Sequence, residues 1–77
     1  MKGGFHMKKI GLILPFSEKE IVAVEGPPYM STSKGGFKVL KYTVCTPRYD
    51  LYVVPGINDG VLAAAATEML GLQYEVE

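Results

Sequence analysis

Apolar and polar positions along the chain fall into short runs, and the closing stretch is the most regular. Residues 50–77, DLYVVPGINDGVLAAAATEMLGLQYEVE, read as strand, glycine turn, capped helix, glycine stop and strand. Leu51, Tyr52, Val53 and Val54 form an apolar strand run. Asn58 or Asp59 suits a helix N-cap, because either side chain accepts from the unpaired amides of a first turn. Leu62, Ala65, Ala66, Met69 and Leu70 follow at helical spacing, which predicts a helix over residues 59–70. Gly71 suits the left-handed position that ends a helix, with Leu72 as its hydrophobic contact. Residues 73–77, with Tyr74 and Val76 inward, then read as a last strand, and strand–helix–strand predicts a parallel βαβ unit.

Upstream, residues 8–16 carry Ile10, Leu12, Ile13 and Leu14, a continuous apolar run of the kind buried on both faces of a sheet. After a polar break at Ser17, Glu18 and Lys19, Ile21–Val24 resembles a second strand, so the pair predicts a hairpin. Gly26, Pro27 and Pro28 end it, since proline donates nothing to a ladder. Residues 30–33 read as either a short strand or an ordered loop. Ser33, Lys34, Gly35 and Gly36 signal a turn. Residues 37–44 alternate, with Leu40, Tyr42 and Val44 on one face and Phe37, Val39, Lys41 and Thr43 on the other. Residues 46–49 form a short connection. The expected fold is α+β: a mixed sheet of four or five strands, one main helix across a face, and the βαβ unit at the C-terminal end. Residues 1–6 lack any periodic pattern and are set aside as a leader; residues 7–77 form one domain.

Seventy-seven residues bound the energetics. A chain of this size buries only about 60% of the surface its unfolded form exposes. Cys45 is the one cysteine, so no intrachain disulfide forms, and a lone thiol suits a reducing cytoplasm. Small chains without such staples often gain burial by oligomerising, so a homo-oligomer is expected. No apolar run approaches the length that crosses a bilayer. Formal net charge is zero, yet residues 1–48 hold all eight Lys and Arg against three acids, and residues 49–77 hold five acids and no base. These opposite surpluses of five suit attraction between the two parts, within the fold or across a subunit contact. A nucleic-acid patch at Lys34, Lys38 and Lys41 fits poorly, because nucleic-acid binders carry a clear basic excess.

Candidate chemistry is sparse. The turn at residues 55–60, PGINDG, sits where a helix N-terminus favours anions, and Gly56, Asn58, Asp59 and Gly60 are the candidate ligand-binding residues. It matches neither the dinucleotide fingerprint nor the phosphate-loop pattern. An Asp59 cap also competes for the amides a phosphate would use. Cys45 has Arg48 nearby to favour its thiolate, but no second metal ligand or base close in sequence. His6, the one histidine, lies in the leader, so no nucleophile–histidine–carboxylate set assembles and no metal site is legible. Five tyrosines, 29, 42, 49, 52 and 74, suit a half-wet core edge and a subunit contact.

Three motifs carry a resemblance: Lys8-Lys9-Ile10-Gly11-Leu12, Gly26-Pro27-Pro28-Tyr29, and the stretch from Asp50 through Ile57 with Leu70-Gly71-Leu72. Together they resemble the dinitrogenase iron–molybdenum cofactor-binding family of small ribonuclease H-like domains. That family has a helix between its third and fourth strands, where this chain has only residues 46–49. The resemblance implies a carrier of a metal cluster or anionic cofactor, using the helix N-terminus and Cys45. The residues themselves point to a small non-catalytic binding module, its partner a second copy or another protein and its cofactor unspecified.

Overall fold

The structure, a computed structural model, describes residues 8–45, 48–74 and 76. The expected leader at 1–6 and residues 46–47 of the expected connection lie outside these. The described chain is α+β, with strands β1 (Lys8–Ile13), β2 (Met30–Lys34), β3 (Phe37–Cys45) and β4 (Arg48–Val54) and helices α1 (Glu18–Glu25) and α2 (Gly60–Tyr74). One mixed sheet has the order β1-β4-β3-β2. β1 runs parallel to β4, while β3 pairs antiparallel with both its neighbours. β1 and β2 therefore point the same way at opposite edges, and α1 carries the chain from one edge to the other.

The β2–β3 hairpin turns where Gly35 and Gly36 were expected to turn it. Both take positive φ, 57° and 85°, in the two-residue loop between paired Lys34 and Phe37. Two successive positive φ values match the right-handed twist of the flanking strands, and glycine adopts them without a Cβ clash. Residues 30–33, open between strand and loop, belong to β2.

Alternation along β3 and β4 sends side chains to two cores. Val39, Tyr52 and Val54 point to one face, where Ala66, Met69 and Leu70 of α2 cover them. Leu40 and Val53 point to the other, against Ile21 of α1. The expected faces of residues 37–44 hold.

Three expectations are corrected. Ile21–Val24 is not the second arm of a hairpin but part of α1. Ser17 and Glu20 form a complete capping box: the Ser17 hydroxyl accepts from the Glu20 amide at 3.2 Å, and the Glu20 carboxylate accepts from the Ser17 amide at 2.8 Å. That exchange satisfies two amides and commits the next turn to helix. Second, α2 does not stop at Gly71 but continues to Tyr74. Gln73 and Tyr74 are helical, and the expected fifth strand and C-terminal βαβ unit are absent among the described residues. Glycine inside a helix costs about 1 kcal/mol. Against that, the extra turn lays the Tyr74 ring on Tyr52, with centroids 4.5 Å apart. Third, β1 is an edge strand, not one buried on both faces, and it ends at Ile13; Leu12 is 40% exposed.

Gly11 sets how closely α2 approaches β1. A Cβ there would lie 3.0 Å from Leu70 Cδ1 and 3.3 Å from Val76 Cγ2. No described helix is long and apolar enough to cross a membrane.

Candidate functional site

In the turn at residues 55–60, Gly56 has a φ of 74°, which takes the chain away from β4. Its amide donates to the Phe16 carbonyl at 2.8 Å, and the Ile57 amide donates to the Leu14 carbonyl at 3.0 Å. These bonds tie the turn to the segment leaving β1. Asp59 is the N-cap of α2: its Oδ1 accepts from the Val61 amide at 2.7 Å and its carbonyl from the Ala63 amide at 2.8 Å. A carboxylate thus sits on one of the amides where an incoming anion would dock, and its charge already complements the helix dipole. Gly56, Asn58, Asp59 and Gly60 are all exposed. Asp59 starts α2, and Gly56 and Ile57 anchor residues 14–16.

Cys45 is exposed at the end of β3, opposite Arg48 at the start of β4. The turn at 55–60 leaves the other end of β4. At the rise of an extended strand the two lie about 20 Å apart, too far for one small cofactor to touch both. Among the described residues no cluster of three metal-ligating side chains forms.

The three lysines do not make one patch. Lys38 reaches Glu18 of α1 at 3.5 Å on one face of the sheet. Lys41 lies on the other face, 3.8 Å from Asp50 and 5.5 Å and 5.8 Å from the ring centroids of Tyr29 and Tyr52. Asp50, the buried charged residue of the described chain, also has its Oδ1 3.4 Å from the Thr43 hydroxyl. This group joins Lys41 of β3 to Asp50 of β4, one ion pair within the fold between the two parts of opposite charge surplus.

What the sequence did not disclose is an apolar groove between the end of β1 and α1. Leu14, Phe16, Ile21, Ala23 and Val24 line it, with Glu20 and Glu25, around a volume of about 530 Å³. Phe16 is 54% exposed and Val24 80%. Leu12 continues the apolar strip along β1, on the same face as Val53, with which it pairs in register. The groove forms because α1 sits over β3 and β4, where Ile21 meets Leu40 and Val53, and leaves the β1 side of that face open. Reading Ser17-x-x-Glu20 as a capping box would have supplied the helix; where the helix lies on the sheet has no sequence signal.

Tyr42 closes the far side of α1, its hydroxyl donating to the Gly26 carbonyl at 2.9 Å. Burial, then the carboxylates of Glu25 and Glu18, push its pKa above the ordinary tyrosine value. Burial, followed by neighbouring Tyr52, does the same to Tyr74.

No family model, curated protein or solved structure matches the chain. The resemblance to the dinitrogenase cofactor-binding family rests on its sequence motifs alone.

Proposed function

We propose that this chain is a small non-catalytic interaction module that works as an oligomer. The observation that carries the reading is the groove beside α1, where Phe16 and Val24 stand exposed around an apolar floor. Apolar surface gathered in one concave place, with charged residues at its margin, is the signature of a protein contact rather than of scattered surface residues. Chain length adds to it, because burial against a partner offsets what so small a core lacks. The exposed thiol of Cys45 suits a cytoplasmic, reducing setting.

Sedimentation equilibrium of the purified chain from about 1 to 100 µM is the test, a span covering the affinities of ordinary associations. An oligomer within that range is the expected result. A monomer throughout, with no partner retained on an affinity column bearing the chain, overturns the reading.

A further inference from the structure

We infer that β1 is the seam of a two-fold dimer, in which β1 of one copy pairs antiparallel with β1 of a second copy and the two sheets join into one of eight strands. This rests on the oligomeric reading above and names its surface.

The backbone carries the first part of the inference. The Leu14 amide donates to the Val54 carbonyl, and the Leu14 carbonyl accepts from the Ile57 amide. Both polar groups of Leu14 thus face the β4 side. Backbone groups alternate sides along a strand, so those of Lys9, Gly11 and Ile13 face outward from the sheet. Among the described residues none of these outward groups has a hydrogen-bond partner. The opposite edge, β2, is Met30-Ser31-Thr32-Ser33-Lys34, almost wholly polar. β1 has no proline or bulge to block pairing, and its only charges are Lys8 and Lys9 at one end.

A two-fold axis through Gly11 uses the whole strand. Lys9 then pairs with Ile13 of the second copy, Ile10 with Leu12, and Lys8 with Leu14. This register makes about six backbone hydrogen bonds between copies. It also keeps the lysines of the two copies at opposite ends of the seam, where a register shifted toward the N-terminus would set like charges face to face.

Side chains carry the second part. Ile10 and Leu12 lie on the face that α1 leaves open, and the two-fold sets them against Leu12 and Ile10 of the other copy. The joined strips make a floor between the two α1 helices, with Phe16 and Val24 of each copy beside it. Lys8 arrives next to Leu14 of the other copy, in the groove that Glu20 and Glu25 line. Glu20 gives only Oε1 to the capping box, so its other carboxylate oxygen is the acceptor for Lys8. On the opposite face a smaller recess of about 110 Å³, lined by Gly11, Ile13, Thr67, Leu70 and Val76, flanks the same edge. Pairing closes apolar surface on both sides of the seam. A second copy fits because the surface is self-complementary: one end basic, the other acidic, the middle apolar.

Sedimentation equilibrium of the full chain, wild type and variants, tests this, with circular dichroism confirming that each variant is folded. Leu12→Asp is expected to weaken the dimer about 100-fold or more, since it places two unpaired carboxylates in the seam. Lys8→Glu is expected to weaken it roughly 10-fold, two contacts being lost per dimer. Adding Glu20→Lys to Lys8→Glu is expected to restore most of that loss, which a folding defect would not allow. A wild-type monomer at all concentrations overturns both this inference and the oligomeric reading. An oligomer that Leu12→Asp and Lys8→Glu leave intact overturns the β1 seam alone. A dimer weakened by Lys8→Glu but not rescued by the double variant overturns the Gly11-centred register.

Discussion

The two faces of the sheet are covered very differently. On one, α2 spans 15 residues and buries Ala66, Met69 and Leu70 against Val39, Tyr52 and Val54, with Ile13, Phe37, Ile57, Tyr74 and Val76 packed around them. On the other, α1 spans 8 residues and buries only Ile21, against Leu40 and Val53. A helix shields strands in proportion to its length, about 1.5 Å per residue. α2 reaches across to β1; α1 covers β3 and β4 and stops. The well-covered face is the stable core of the molecule, and the half-covered face is where binding surface remains. In a chain this small, one short helix decides which side is left for a partner.

The largest expected effect tests that ranking. Leu70→Ala removes a side chain that is 2% exposed and central to the α2 core, and should cost about 3 kcal/mol in urea unfolding. Ile21→Ala on the other face should cost less, about 2 kcal/mol, because a short helix at the margin of the fold settles into the space more readily. Equal or reversed losses would break the comparison.

Next comes Ser17→Ala. It deletes one bond of the capping box and should cost about 1 kcal/mol. Because α1 has so little else to hold it, hydrogen exchange should show α1 amides losing protection while α2 amides keep theirs. Uniform loss over both helices would mean that the faces are coupled more tightly than their separate cores suggest.

Alkaline pH sharpens the comparison, since each face has one tyrosine with a raised pKa, Tyr42 beside α1 and Tyr74 at the end of α2. A folded-state value above the unfolded one means that the stabilisation is fully present below about pH 10, the ordinary tyrosine value, and is lost as pH rises through the folded value. Unfolding should therefore become easier above about pH 10. Tyr42→Phe should lessen that alkaline loss while giving up the bond to Gly26 at neutral pH. An unchanged alkaline limb would remove Tyr42 as a contributor.

The smallest expected effect is at Val24, 80% exposed on α1. Val24→Ser should change unfolding free energy by less than about 0.5 kcal/mol. Association should nonetheless weaken, separating the surface role of this face from its folding role. A large stability loss would show Val24 to be core, and the groove to be closed within one copy.

Much of the sheet was legible in the sequence. Residues 37–44 alternate, and their faces hold because a strand's period of two follows from backbone geometry alone. Gly35 and Gly36 marked their turn because few other residues take two successive positive φ values. Residues 21–24 misled, since a short apolar run suits a strand or one side of a helix equally, and the deciding interaction lay three residues apart in Ser17 and Glu20. The end of α2 misled for a different reason. Gly71 is a fair stop locally, and what carries the helix past it is the distant Tyr52 ring.

The candidate site divides in the same way. An N-cap at Asn58 or Asp59 was expected, and Asp59 takes that place. The groove was not foreseen. Its lining comes from residues 14–16 and 20–25, unremarkable as a string, and it opens only because α1 rests on Leu40 and Val53 instead of on β1.

The sequence by itself determined the α+β class, the strands β3 and β4, the Gly35-Gly36 turn and the capped start of α2. Each depends on neighbours within a few residues, through backbone period, allowed φ and local hydrogen bonds. Tertiary structure alone decided that β1 is an edge, that α2 runs on to Tyr74, and that one face stays half-covered. Those outcomes depend on which distant surfaces meet, and burial between them outweighs a local preference worth about 1 kcal/mol.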